Sequence, residues 1–275
     1  MSEIECADWL AQAGACAESR LGVLLNRISA PPPLREAMQY AALDGGKRLR
    51  PAMLFAAAEV SFPPPAAAVD AACALECMHC YSLVHDDLPC MDDSAERRGA
   101  PSCHAKFGES LALLAGDCLH SLAFEILAES GLPPSAAALL ARSGGAAGMG
   151  GGQFLDLQAA AEDEESLRQM HEMKTGALFD CALQLGLLCR AQKAAAAEQT
   201  RLQKFAAVFG RLFQIVNDIN GAHADSAGGK TTYWTVLGAA EAARHADSAC
   251  RLAEEILDGA YPRLAEITGM VRRAA

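Results

Sequence analysis

The sequence is poor in aromatic residues and in positive charge, and it has no long uninterrupted apolar run. Aromatic residues make up 5% of the 275 positions, and 23 lysines and arginines stand against 34 acidic residues, for a formal net charge of −11. This balance argues against general nucleic-acid binding, because basic side chains supply its sequence-independent part. The most apolar stretch, residues 111–127, is interrupted by Asp117, His120 and Glu125. No membrane insertion is therefore expected.

The first residues and the cysteines indicate the expected compartment. Residues 1–5 are acidic where a secretory signal peptide is basic, so we expect a cytoplasmic protein. The 11 cysteines are then expected to be reduced thiols. Cys73, Cys77 and Cys80 follow the i, i+4, i+7 spacing of one helical stripe, and no second CxxC pair follows at zinc-finger spacing. This pattern favours core packing over metal or redox chemistry.

Strand signals are scarce, whereas helical patterns cover most of the chain. Alanine is abundant and no segment alternates convincingly between apolar and polar residues. Proline runs separate the patterns, and none of these breaks is long or polar enough to be an interdomain linker. The sequence predicts one all-α domain over residues 1–275, with helices over 5–28, 34–44, 48–61, 66–87, 107–130, 134–149, 164–190, 194–221 and 238–273.

A P-loop is also missing. Read back from Gly229-Lys230-Thr231, the first glycine of the motif would fall on Ala224, and no strand precedes it. The glycine-rich segment 144–153 lacks both the lysine and the strand. Close helix approach or a helix break explains that segment better than phosphate binding.

The strongest local feature is an acidic segment, HDDLPCMDD at residues 85–93, which ends an apolar helical pattern. Carboxylates suit hard cations, and Mg²⁺ is usually held by one or two of them together with substrate phosphates. A solvated helix end is the alternative. An ideal helix separates Asp86 and Asp92 by about 120° in projection. We therefore expect Pro89 to end the helix and turn the second carboxylate back.

Basic residues are few, but they cluster in four short segments. Guanidinium groups bind phosphate oxygens in pairs, and lysine adds a compact charge. Surface salt bridges would explain any one segment alone. Beside an acidic cluster, the set suggests two phosphorylated groups, one held through metal and one directly. The segments are GGKRLRP at 45–51, RRG at 97–99, KTG at 174–176 and GGKTT at 228–232.

These segments identify a family resemblance. Together with LAGD at 114–117, GQFLD at 152–156 and FQI at 213–215, they occur in the order seen in trans-isoprenyl diphosphate synthases. The chain resembles this family from Gly45 to Gly238, and within it the bacterial farnesyl diphosphate synthases. The resemblance implies an antiparallel helical bundle of the isoprenoid synthase type around a central active-site cavity, and a homodimer.

The resemblance also implies a reaction. Isopentenyl diphosphate condenses with dimethylallyl or geranyl diphosphate to give a short trans-prenyl diphosphate, farnesyl diphosphate being the expected product. The allylic diphosphate ionises, the double bond attacks, and a proton is lost. Metal ions and cationic side chains stabilise the departing diphosphate.

Individual residues take roles by the same resemblance. Asp86 and Asp92 are the implied ligands of two or three Mg²⁺ ions, with Asp87 and Asp93 in support. Tyr81 and Ser82, one turn before Asp86, are implied to limit chain length, with ordinary core packing as the alternative for Tyr81. The implied isopentenyl diphosphate residues are Lys47, Arg50, His79 and Arg98, and those for the allylic diphosphate are Arg97, Lys174, Thr175, Gln214 and Lys230.

The second aspartate motif departs from the family. The family's DDxxD is NDING here, residues 217–221, so the first and third aspartates are missing. Loss of two charges weakens affinity for a hard cation. Asn217, Gly221 and Asp225 share helical spacing and partly match the third-metal motif of terpene cyclases, which leaves Asn217, Asp218 and Asp225 as candidate ligands.

Two alternatives to a condensing synthase follow from this departure. One is an impaired or regulatory subunit, and the other is a class I terpene synthase-like enzyme that ionises a prenyl diphosphate without condensing it. The intact isopentenyl diphosphate set favours condensation, because a cyclase has no need for that site.

Overall fold

The computed structural model describes residues 3–43, 45–158, 163–228 and 232–274, with side chains described outside 3–5 and 222–228. Within these ranges the regular secondary structure is helical apart from one short hairpin, which confirms the all-α prediction. The helices are α1 (Glu3–Arg27), α2 (Pro32–Leu43), α3 (Leu49–Ala58), α4 (Ala66–Asp86), α5 (Cys103–Phe107), α6 (Glu109–Glu129), α7 (Ser135–Gly144), α8 (Met149–Leu157), α9 (Glu164–His171), α10 (Ala177–Leu188), α11 (Ala196–Gly228), α12 (Tyr233–Leu237), α13 (Ala239–Leu257) and α14 (Pro262–Arg273). A π-helical segment covers Glu172–Gly176, and the hairpin pairs β1 (Glu96–Arg97) with β2 (Ala100–Pro101).

Most predicted helices are confirmed to within a few residues, but four differ. The segment predicted over 134–149 ends at Gly144 as α7. The segment predicted over 238–273 is two helices, because Asp258 adopts a left-handed conformation with φ of 47° and Pro262 then starts α14. The segment predicted over 194–221 extends to Gly228 as α11. The predicted 164–190 helix contains the π-helical segment. The hairpin, α5, α8 and α12 were not predicted, since such short elements carry little periodic signal.

The helices group into two compact units, so the single domain over 1–275 stays a prediction. The N-terminal unit comprises residues 7–55 and 60–137. Its core lies where α4 and α6 pack together. Cys73, Cys77 and Cys80 are buried on α4, and all eleven cysteines are free. The burial of Cys73, Cys77 and Cys80 confirms that these three cysteines are packing residues.

The C-terminal unit comprises residues 1–6, 56–59 and 138–275. Its core includes α10, α11 and α13. Phe179 packs edge-on against Phe209 with ring centroids 5.0 Å apart, and Phe205 stacks on Phe209 at 5.7 Å. Such aromatic pairs stabilise a core beyond the area that they bury.

Two helices pass a length and hydropathy test for membrane spans. They are α4 and α6, whose most apolar 18-residue stretches are 61% and 44% buried inside the protein. Core helices of soluble proteins pass the same test, and α4 and α6 pack on each other. The test therefore gives only weak evidence for a membrane span.

Candidate active site

The acidic segment forms a hydrogen-bonded turn at the end of α4. The regular helix ends at Asp86, before Leu88 and Pro89, because a residue that precedes proline is disfavoured in helical conformation. The chain then turns back, and the amide of Asp92 donates to the carbonyl oxygen of Asp86 at 2.9 Å. Asp86 and Asp92 are both half-buried. The expected turn is confirmed, and it brings these two residues together.

Asp87 is used differently from its neighbours. Its side chain is 3% exposed and forms a two-pronged ion pair with Arg97. The Arg97 Nε donates to both carboxylate oxygens at 3.1 Å, and Nη2 donates to Oδ1. A paired geometry of this kind fixes the orientation of a guanidinium. Asp87 therefore orients Arg97, and the predicted metal role of Asp87 would have to compete with this ion pair.

The three basic residues of the GGKRLRP segment take different places. Arg48 is buried, and it donates to Oε1 of Glu76 at 2.7 Å and to the Ala42 carbonyl oxygen at 2.8 Å. Lys47 is exposed. Burial lowers the pKa of Arg50 to about 10. Arg48 thus holds the segment to the core, while Lys47 and Arg50 stay the candidates for ligand binding.

Arg98 lies against the two glycines of this segment. Its Nη1 donates to the carbonyl oxygen of Gly45 at 2.8 Å. A Cβ atom on Gly46 would lie 2.7 Å from the Arg98 guanidinium carbon, and Gly46 has φ of +107°, so glycine is required there. Burial, together with the charges of Arg50 and Arg98, holds the pKa of His79 well below its ordinary value. Three predicted isopentenyl diphosphate residues therefore lie within electrostatic range of one another.

Tyr81 belongs to a row of rings that joins α4 to α6. Its ring centroid is 4.9 Å from that of His85 and 4.9 Å from that of His120, both in edge-on geometry. Ser82 donates from Oγ to the carbonyl oxygen of His79 at 2.8 Å. Tyr81 and Ser82 are half-buried. The predicted chain-length residues therefore sit one turn below the acidic turn, with Tyr81 held between neighbouring rings.

In the C-terminal unit, Lys174 and Thr175 lie in the π-helical segment, a rare geometry that is frequent at functional sites. The Lys174 ammonium is 2.5 Å from Oδ2 of Asp156 on α8. A Cβ atom on Gly152 would lie 2.1 Å from the Lys174 backbone nitrogen, so only glycine lets the two segments approach this closely. The close-packing interpretation of the glycine-rich segment is confirmed.

Asp218, the remaining aspartate of the second motif, is buried with 3% exposure. Its Oδ1 accepts from Gln214 Nε2 at 3.0 Å, and its Oδ2 accepts from the Tyr233 amide at 2.8 Å. Thr175 in turn donates to Gln214 Oε1 at 3.3 Å. Asp218 therefore ties α11 to the start of α12.

The other predicted residues of the second motif are less fully described. Asn217 is exposed on α11. Lys230 and the side chain of Asp225 lie outside the described residues. Among the described residues, no group of three or more histidine, cysteine, aspartate or glutamate side chains is arranged to hold a metal ion alone. A pair of carboxylates completed by substrate phosphates suits Mg²⁺.

Comparison with known proteins decides the family. The model of the family described as polyprenyl synthetase matches residues 31–233. The chain belongs to this family. Farnesyl diphosphate synthase of Escherichia coli strain K12 is 40% identical to it, over 91% of this chain and 94% of that protein.

Solved structures of related enzymes share the polyprenyl synthetase fold. Geranyltransferase from Legionella pneumophila superposes with a TM-score of 0.89 at 31% identity, covering 100% of this chain and 99% of that one. An FPP/GFPP synthase from Zymomonas mobilis gives a TM-score of 0.86 at 33% identity, covering 100% of both chains. The isoprenoid synthase type expected from the sequence is therefore confirmed.

Several residues of this polyprenyl synthetase with defined contacts were not predicted as site residues. Asp156 lies in the GQFLD segment that carries the resemblance, and that segment was the available signal for its pairing with Lys174. Tyr40 donates to the Pro101 carbonyl oxygen at 2.7 Å. The ring of the buried His171 lies 5.4 Å from that of Tyr233. No spacing in the sequence indicates the contacts of Tyr40 or His171, because their partners are distant along the chain.

Proposed function

We propose that this polyprenyl synthetase condenses isopentenyl diphosphate with dimethylallyl or geranyl diphosphate, and that farnesyl diphosphate is its product. The observation that carries the proposal is the turn that brings Asp86 and Asp92 together at the end of α4. The farnesyl diphosphate synthase from E. coli, 40% identical over most of both chains, supports the product class.

The isopentenyl diphosphate site is proposed at Lys47, Arg50, His79 and Arg98. Arg98 is docked on the Gly45 carbonyl by one of the five N–H donors of a guanidinium, which leaves donors for phosphate oxygens. The lowered pKa values of Arg50 and His79 reflect burial near other positive charges. A diphosphate would relieve that repulsion, because opposite charge stabilises the protonated forms.

Asp86 and Asp92 are proposed as the pair that holds Mg²⁺. Their carboxylates match the oxygen ligands that this ion prefers. When bound, Mg²⁺ would supply positive charge against the negative charge that develops on the leaving diphosphate. The number of ions, two or three, depends on the second motif. There Asn217 and Asp225 are weaker candidates than aspartates of the family pattern, and Asp218 already accepts two hydrogen bonds.

The remaining residues are proposed to hold the allylic diphosphate. Arg97 is oriented by Asp87, Lys174 is paired with Asp156, and Gln214 is bonded to Thr175. Lys230 is assigned to the same group by its place in the sequence. In the reaction the allylic carbon–oxygen bond breaks, the isopentenyl double bond attacks the cation, and a proton leaves. The released diphosphate can accept that proton, so no side chain is required as the base.

Chain length is proposed to be limited by Tyr81, with Ser82 beside it. The Tyr81 ring is restrained by edge-on contacts to His85 and His120. A restrained aromatic ring one turn below the acidic turn would stop elongation at farnesyl length. A soluble cytoplasmic homodimer is proposed from the family resemblance.

The test is incorporation of radiolabelled isopentenyl diphosphate with Mg²⁺ and each allylic primer in turn, with products separated by length. Farnesyl diphosphate made at about 1 s⁻¹ or faster is the expected result. No incorporation from any primer by the folded protein, with an active relative in parallel, would overturn the proposal. Activity only after mixing with a second synthase would indicate a regulatory subunit, and hydrocarbon from farnesyl diphosphate alone would indicate a cyclase.

A further inference from the structure

The hairpin that carries Arg97 and Arg98 is too short to be stable by itself. It pairs Glu96 with Pro101 and Arg97 with Ala100. Its turn is Arg98-Gly99, with φ of 56° and 77°, as in the tight two-residue turns that suit hairpins. A two-stranded hairpin alone is marginally stable in water. The positions of its arginines therefore depend on what the hairpin is attached to.

The C-terminal end of α2 attaches the hairpin at two points. The Tyr40 hydroxyl, in the last turn of α2, donates to the Pro101 carbonyl oxygen at 2.7 Å. Gly45, just beyond α2, accepts from Arg98 Nη1 at 2.8 Å. One bond holds the end of β2 and the other holds the turn. The end of α2 thus supplies two attachments of the hairpin, one at β2 and one at the turn.

The Tyr40 ring is itself held from α5. The Lys106 ammonium lies 3.7 Å from its centroid, a distance typical of a cation–π contact. The Phe107 ring packs edge-on with centroids 5.4 Å apart. Tyr40 also lines a cavity of about 30 Å³ together with Arg97 and Arg98. Its hydroxyl is therefore presented to Pro101 by a fixed ring.

The two arginines differ in their dependence on Tyr40. Arg97 has an anchor of its own in the buried carboxylate of Asp87, which follows α4. Arg98 is anchored on the segment that follows α2, so its guanidinium moves if the hairpin shifts relative to α2. Loss of the Tyr40 bond should therefore disturb Arg98 more than Arg97.

We infer that Tyr40 is a positioning residue that fixes the Arg98 guanidinium for isopentenyl diphosphate. It acts through the hairpin and touches no substrate. The inference rests on the proposed function, since it takes Arg98 as a ligand of that substrate. We therefore expect a substitution of Tyr40 to change the KM for isopentenyl diphosphate and not the KM for geranyl diphosphate.

The variant Tyr40→Phe keeps the ring and removes the hydroxyl. The KM for isopentenyl diphosphate should rise about two- to tenfold, the effect of one lost hydrogen bond. The KM for geranyl diphosphate and kcat should stay within about twofold. The Kd of isopentenyl diphosphate, measured by calorimetry without an allylic substrate, should rise by the same factor as its KM.

Tyr261→Phe is the matched control. Its hydroxyl contacts Glu198 and Arg190 within the C-terminal unit, so its loss should leave both KM values unchanged. In an Arg98→Ala background, Tyr40→Phe should add no further rise, because the two residues act through one guanidinium.

The possible results distinguish failure of the positioning role of Tyr40 from failure of the proposed function. A wild type that incorporates isopentenyl diphosphate, with unchanged KM and Kd in Tyr40→Phe, overturns the positioning role alone. Equal rises in both KM values, or additive effects with Arg98→Ala, overturn it as well. A wild type that neither binds nor incorporates isopentenyl diphosphate overturns the proposed function and the positioning role with it.

Discussion

The two aspartate-containing segments of this polyprenyl synthetase are used in different ways. In the N-terminal unit, a turn brings Asp86 and Asp92 together, and both stay half-buried. In the C-terminal unit, the remaining aspartate of the second motif, Asp218, is buried and accepts hydrogen bonds from Gln214 and from the Tyr233 amide. We propose that the first segment holds Mg²⁺ together with substrate phosphates, whereas the second uses its carboxylate to connect two helices.

The comparison shows that an aspartate in a motif is not evidence of a metal ligand by itself. A buried carboxylate whose oxygens accept hydrogen bonds can connect two elements of the fold without a metal. Asp87 in the first segment is a second example, because its carboxylate is paired with Arg97. We expect Asp86 and Asp92 to serve the reaction and Asp218 to stabilise the fold. Five variants test the contrast between the two segments.

The largest effect is expected for Asp86→Asn in the acidic turn. The change removes one of the two proposed metal carboxylates and should lower kcat/KM by about 100-fold or more. Steady-state incorporation of labelled isopentenyl diphosphate measures it. The exposed Glu125 on α6 supplies the control variant Glu125→Gln, which should keep wild-type activity. Wild-type activity in Asp86→Asn would remove the distinction between the two segments.

Asp218→Ala should act mainly on stability. It leaves the Tyr233 amide and the Gln214 side chain without their acceptor, and a buried donor left unsatisfied costs about 2 kcal/mol. The free energy of unfolding in urea should fall by that amount. Asn217→Ala, at the exposed neighbouring position, should change it by less than about 0.5 kcal/mol. Equal stability of the two variants would contradict a structural role for Asp218.

The pH dependence of stability at His171 provides a second test of the packing between α11 and α12. Burial lowers its pKa to about 4, and it packs on Tyr233, whose amide Asp218 holds. The unfolded chain binds this proton near pH 6.5, so stability is full above that pH and falls as the pH drops towards 4. The loss at pH 5 should be about 2 kcal/mol.

The variant His171→Phe isolates this contribution from that of other groups. Urea denaturation at pH 7 and pH 5 should show a loss of stability that is about 2 kcal/mol smaller in the variant than in the wild type. The same pH dependence in both proteins would mean that the pKa of His171 is the same in the folded and the unfolded chain. Its burial would then make no pH-dependent contribution to stability.

The smallest effect is expected for Asn217→Asp, which returns a carboxylate to the first position of the second motif. Asn217 is exposed, where one added charge is worth about 1 kcal/mol at contact distance. The Mg²⁺ concentration that gives half-maximal activity should fall about fivefold. Asn217→Ser, which adds no charge, should not lower it. No difference between the variants would mean that no ion binds beside residue 217.

The helical fold and the turn of the first segment could be predicted from the sequence, but the hydrogen bonds of the second segment could not. Helical periodicity and proline breaks are local, so α4 and the turn at Pro89 were predictable. The partners of Asp218 were not, because Tyr233 lies 15 residues away on another helix. The hairpin around Arg98 was missed as well, since its strands have two residues each. Contacts that depend on tertiary packing leave no periodic signal.

We propose that Asp86 and Asp92 hold Mg²⁺ and that Asp218 is structural, and a Mg²⁺ titration of activity tests this contrast most directly. Wild type and Asp218→Asn are compared at a temperature where both are fully folded, because asparagine still offers an acceptor to the Tyr233 amide. The account predicts half-maximal Mg²⁺ concentrations within about twofold of each other. A requirement raised about tenfold in Asp218→Asn would contradict it, and would make Asp218 a metal ligand.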